Sequence, residues 1–130
     1  DNLFYAGYTT DLQTSETIKN VYNEYNYLLD THTAVAYNVM KEFKEKDSRH
    51  KNIVLATASP YKFVGSVMRA IDAEYAGRDE FELVDELEKL SQVAVPNAVK
   101  EIRDAKILHT RECDADKMKE TVKEILEIEV

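Results

Sequence analysis

Apolar positions change their spacing along this chain, and the change is sharpest in Asn52–Phe63. Ile53, Val54, Leu55 and Ala56 form a short apolar run rich in β-branched residues, which predicts a buried strand. Ser59-Pro60 predicts a helix start. Ser can cap free backbone N–H groups, and Pro at the first helical position gives up only an N–H that had no partner. Phe63, Val67, Met68 and Ile71 follow at helical spacing. Thr57 and Ser59 are therefore expected at the carboxyl end of a strand, beside a helix N-terminus. Ligands of open α/β sheets bind at such joints, and helix N-termini favour anions. A joint that merely connects two elements would have the same pattern.

The rest of the chain repeats the theme. Thr10-Asp11-Leu12-Gln13 fits a capping box opening a helix through about Tyr25, with Ile18, Val21, Tyr22 and Tyr25 on one face. Tyr27-Leu28-Leu29 is a short strand candidate. Asp30 or Thr31 can cap the next helix, whose apolar face is Val35, Val39 and Phe43 with Ala36 and Met40. Lys44–Lys51 reads as a charged, solvated loop. Gly77 marks a turn or helix end, and Arg78-Asp79-Glu80 opens a helix bearing Phe81, Val84, Leu87 and Leu90. Pro96 starts a short helix through about Arg103. Ile107-Leu108-His109 is a brief extended candidate. Asp114 is expected to cap a last amphipathic helix with Met118, Val122, Ile125 and Leu126 inward.

Strands alternating with helices predict the α/β class: a helix-rich, three-layer-type unit with a small, mostly parallel sheet of two or three strands. Residues 1–130 read as a single domain. So short a sheet is poor on its own. The chain also opens at Asp1, with Phe4, Tyr5 and Tyr8 close behind in an aromatic segment in which Gly7 is the expected turn. Both features suggest a piece of a longer polypeptide.

Charge narrows the function classes. A formal net charge of −8 argues against nucleic acid and against anionic membrane surfaces. No apolar run has the length of a membrane span. Cys113, the single cysteine, cannot form an internal disulfide, which fits a reducing cytoplasm. Its neighbours Glu112 and Asp114 disfavour a thiolate, so it reads as structural.

Self-sufficient catalytic motifs are missing. There is no Gly-x-Ser-x-Gly elbow, P-loop or Gly-x-Gly-x-x-Gly fingerprint, and three glycines leave no glycine-rich phosphate cradle. His32 sits beside a predicted helix start and reads as a structural hydrogen-bonder before a ligand. No His or Cys spacing supports a metal. Lys62, at the other joint, could face an anion or simply lie on the surface. A neutral hydroxyl at Thr57 suits one class of pyridoxal phosphate enzymes, in which a Ser or Thr faces the pyridine nitrogen. A neutral partner leaves that nitrogen largely unprotonated and favours elimination and replacement.

Asp30-Thr31-His32-Thr33-Ala34-Val35-Ala36, with Val54-Leu55-Ala56-Thr57-Ala58-Ser59-Pro60-Tyr61-Lys62-Phe63 further on, resembles the carboxyl-terminal part of threonine synthases of the bacterial and fungal type. Those enzymes carry an Asp-Pro-His-Thr-Ala or Asp-Thr-His-Thr-Ala element and a Thr-Ala-x-Pro-x-Lys-Phe element. Phe4-Tyr5-Ala6-Gly7-Tyr8 and Leu108-His109-Thr110 also resemble the family's tail. The resemblance covers most of the chain, and the motif pair is specific where either motif alone is weak.

The resemblance implies a fold-type II pyridoxal phosphate enzyme that converts O-phospho-L-homoserine and water to L-threonine and phosphate. Thr57, Ala58 and Ser59 would then be cofactor residues, with Thr57 facing the pyridine nitrogen and Pro60 helping to shape the pocket wall. Asp30, Thr31, His32 and Lys62 would lie on the substrate side, with Thr33 nearby. The family's Schiff-base lysine, in a Phe-Lys-Asp-type motif, and its glycine-rich phosphate loop do not occur here. The chain is accordingly expected to be the C-terminal domain of the enzyme, to hold no catalytic residue, and to be inactive alone. Its expected partners are the remainder of the enzyme and, through exposed former core, a second copy. The rival expectations are a stand-alone α/β phosphate-ligand or regulatory module, and a helical scaffold without a ligand.

Overall fold

The computed structural model describes residues 4–128. Its order is α1 (Asp11–Tyr25), α2 (Thr31–Lys46), a 3₁₀ turn (Pro60–Phe63) running into α3 (Val64–Ile71), a second 3₁₀ turn (Ala73–Tyr75), α4 (Glu80–Ser91), α5 (Asn97–Arg103), and a third 3₁₀ turn (Ala115–Lys117) before α6 (Met118–Ile125). The starts of α1, α2 and α4 have capping side chains, whereas Asp114, expected to cap the last helix, makes no capping hydrogen bond. Thr10 Oγ1 accepts the Gln13 N–H at 3.3 Å while Gln13 Oε1 takes the Thr10 N–H at 2.9 Å, the predicted capping box. Asp79 accepts from the N–H groups of Phe81 and Glu82 at 2.9 and 3.1 Å. The end of α1 at Asn26 and that of α4 at Gln92 lie in the left-handed region, with φ of 51° and 57°.

α1 packs on α2 and α3, and α3 packs on α4. The core is Ile18 and Val21 of α1, Ala34 of α2, Val64, Val67, Met68 and Ala70 of α3, and Leu83, Val84 and Leu87 of α4. Tyr61 joins it from the first 3₁₀ turn, and Leu29 and Val95 from connectors.

The α/β expectation is corrected. Among the described residues there is no strand, and the small parallel sheet of a three-layer unit does not form. Tyr27–Leu29, Ile53–Ala56 and Ile107–His109 are irregular connections instead. A strand needs a ladder partner for its N–H and C=O groups, and β-branched composition does not supply one. Ile53 is 87% exposed and Leu55 73%, and Ala56 is exposed as well, so three of the four residues expected to be buried face outward. Of the first segment, Leu29 is part of the core and Leu28 packs against it partly buried.

Three smaller expectations change as well. α2 continues to Lys46, so the first part of the charged Lys44–Lys51 stretch is helical. Met118, Val122, Ile125 and Leu126 are all more than half exposed, so the apolar face of α6 is not inward. Cys113 is exposed and plays no part in the core.

Asp1–Leu3 of the aromatic opening lie outside the described residues. Beyond them, Tyr5 meets the Phe43 ring at 5.2 Å between centroids, and Lys46 Nζ donates to Tyr5 Oη at 2.9 Å. Gly7 lies close against α2: a Cβ there would stand 2.9 Å from Val39 Cγ1. No helix among the described residues is long and apolar enough to cross a membrane.

Candidate functional site

The start of α2 is built on Asp30. Its buried carboxylate accepts the N–H groups of His32 at 2.9 Å and Thr33 at 3.2 Å through Oδ1, and the Thr33 hydroxyl through Oδ2. Burial pushes the Asp30 carboxyl up, but the Thr33 hydroxyl, these N–H groups and the His32 charge outweigh it, and the net is below the ordinary value of 3.8. The first N–H groups of α2 are thus taken by the chain's own anion. A ligand anion would have to find its charge partner elsewhere.

His32 stands beside this cap, half exposed, with Nδ1 3.4 Å from Asp30 Oδ1 and also 3.4 Å from Thr31 Oγ1. Its ring stacks on Phe63, 5.6 Å between centroids with planes 29° apart. Phe63 ends the 3₁₀ turn that Ser59 and Pro60 begin, and Ser59 Oγ accepts the Tyr61 N–H at 3.3 Å. The next residue back, Lys62, is exposed, with Nζ 5.5 Å from the Phe63 ring centre. The two sequence motifs therefore meet in space. His32 from one touches Phe63 from the other, and Lys62 lies over the same ring.

The remaining candidates divide. Thr57 is exposed and Ala58 partly buried, at the end of the extended connector and not at a strand edge. Hydrogen bonds and ring contacts among the described residues do not join Thr57 to the Asp30–His32 group. Residues of the connector line two open grooves. One, about 780 Å³, has His32, Val35, Val39, Phe43, Lys51 and Ile53 in its lining. The other, about 400 Å³, has Tyr25, Leu29, Thr33, Tyr37, Val54 and Ala56. The described residues contain no group of three or more His, Cys, Asp or Glu able to hold a metal ion.

Sequence reasoning missed Phe63 and Tyr61. Phe63 fits the apolar helical spacing of α3, yet the residue is 45% exposed and its ring meets His32. Tyr61 is buried, and its hydroxyl donates to the Val93 carbonyl beyond α4. An aromatic two residues after a Ser-Pro helix start was the available signal.

The family model described as threonine synthase, C-terminal, matches residues 33–125. The matched span takes in Thr57–Phe63 and begins one residue after His32. No curated protein matches the chain.

Proposed function

The chain belongs to the threonine synthase C-terminal family, and from that membership we propose that it forms one wall of the cofactor and substrate pocket of a threonine synthase. The reaction would turn O-phospho-L-homoserine and water into L-threonine and phosphate, with pyridoxal 5′-phosphate as cofactor. The contact between His32 and Phe63 carries this reading, because it unites the two motifs at one surface.

The donor set fits the cofactor. Thr57 is exposed, and the capping role at this joint belongs to Ser59, so the Thr57 hydroxyl is left to meet a ring nitrogen. Bound pyridoxal phosphate supplies the electron sink for the elimination and replacement steps. Thr57 would hold the ring nitrogen in a neutral hydrogen bond, and Ala58 and Ser59 would border the ring. Lys62 and His32 attract and orient the dianionic phosphate of the substrate. Asp30 and Thr31 hold the His32 ring in place. The catalytic lysine comes from the remainder of the enzyme, and this chain alone is inactive. The free, exposed Cys113 supports a reducing, cytoplasmic setting.

The test uses the complete enzyme with His32→Ala and Lys62→Met, separately and together. Each is expected to raise KM for O-phospho-L-homoserine about tenfold, equivalent to about 1.4 kcal/mol. The pair should raise it by less than the product of the two, since both act on one group. Unchanged KM in all three variants would refute the substrate roles.

A further inference from the structure

We propose that Tyr61 is a positioning residue, tying the turn that presents Lys62 and Phe63 to the segment beyond α4. The turn Pro60–Phe63 is a single 3₁₀ turn that leads directly into α3. Its two faces are unlike. On the outer face Lys62 and Phe63 are exposed, and Phe63 meets His32. On the inner face the Tyr61 ring is 4% exposed and forms one core with Val64, Leu83 and Leu87.

The Tyr61 hydroxyl donates to the carbonyl of Val93, thirty-two residues on. That acceptor is itself held. The Val93 N–H donates to Ser91 Oγ at 3.2 Å, and the Val95 N–H donates to Glu88 Oε1 at 3.1 Å. Ser91 Oγ in turn donates to the Leu87 carbonyl at 2.7 Å. The connection runs from the last turn of α4 through Val93 and Tyr61 to Phe63, and from Phe63 to His32. Burial pushes the Tyr61 phenol up, and Glu88 adds to this against the Ser91 hydroxyl, so the donated proton stays in place around neutrality. Without the hydroxyl, the ring still fills its place in the core, but the turn gains freedom to roll about its axis. The Phe63 ring, two residues on, is the part expected to move.

The importance of this link for substrate rests on the pocket assignment above; the link itself does not. The test therefore reads the His32 ring protons by NMR in this chain at fixed pH. Phe63→Leu defines the signal with no aromatic neighbour. Tyr61→Phe is expected to move the His32 resonances most of the way from the native position to that reference. Ser91→Ala, which loosens the same tether from its far side, should move them the same way by less. Ile18→Val, a mild core change in α1, should leave them in place. Native His32 resonances in both Tyr61→Phe and Ser91→Ala would overturn the proposal. So would an equal displacement in Ile18→Val, which would mark the effect as general loosening. In the complete enzyme, Tyr61→Phe should raise KM for the phosphate substrate more than it lowers kcat. A displaced His32 signal with unchanged KM would count against the pocket assignment while leaving the tether intact.

Discussion

Asp30→Ala removes the group on which the start of α2 is built, and the structure fixes what it should cost. Loss of an Asp N-cap costs about 1 kcal/mol. The Thr33 hydroxyl, in a residue only 5% exposed, then loses its acceptor, a further cost of about 1–3 kcal/mol. The sum, roughly 2–4 kcal/mol, is a large part of the ~5–15 kcal/mol that holds an ordinary domain folded. With a urea slope of about 1–3 kcal/mol/M, the unfolding midpoint followed by circular dichroism should fall by roughly 1–2 M. Asp30→Asn, which keeps an acceptor for the two N–H groups, should lose less than half as much. Thr33→Val removes the other partner, so the double variant Asp30→Ala/Thr33→Val should fall short of the summed single losses by about 1 kcal/mol. A shift below about 0.3 M for Asp30→Ala, or strict additivity in the cycle, would refute the account of this cap.

The same group sets a pH signature. The folded carboxyl lies below its ordinary value of 3.8. A depressed folded value means that the stabilisation is present above the unfolded value and is lost as pH falls through the folded one. The stability difference between the native chain and Asp30→Asn should thus be flat from about pH 5 to 7 and shrink below about pH 4. A difference that grows on acidification would show that the sign is wrong.

Gly7→Ala places a Cβ 2.9 Å from Val39 Cγ1, so the opening segment must lift from α2. The expected loss is about 1 kcal/mol, with faster proteolysis near Tyr5, and Val39→Ala should restore both. Tyr25 should titrate at about 12 instead of 10.0, because Glu24 accepts its hydroxyl and adds a negative charge beside it. Ultraviolet titration of Glu24→Gln should show that phenol returning toward its ordinary value, and no return would remove Glu24 as the cause.

Legibility in the sequence followed the range of the interactions. Helix starts depend on one side chain and the N–H groups two or three residues on, so Thr10, Asp30, Ser59 and Asp79 could be read from local spelling. Strands depend on partners remote in sequence. Ile53–Ala56 has the composition of a strand and no ladder, and nothing in those four residues distinguishes the two cases. The face of α6 failed for the same reason. Its apolar spacing was correct, but spacing does not state what will cover it, and Val122 is 52% exposed. The positions of Asp30, Thr31, His32 and Lys62 beside helix starts could be read from the sequence, while their substrate roles came from the family resemblance. The long-range bond of Tyr61 and the stacking of Phe63 needed the folded chain.

That difference in range bears on where the site ends. The family match opens at Thr33, and Asp30, Thr31 and His32 precede it. Taken by the match alone, the cap and the imidazole would be left out. In the folded chain Thr33 and Phe63, both inside the matched span, each touch one of them. The Thr33 hydroxyl and N–H complete the Asp30 cap, and the Phe63 ring meets His32. A pocket wall that used Lys62 and Phe63 but not His32 would leave the stacked imidazole with nothing to do except pack, at a position where it is half exposed. Packing alone is better served by a buried apolar side chain. On the proposed reading the imidazole, held between a carboxylate and an aromatic face, meets the substrate, and the substitutions at His32 and Lys62 test that directly.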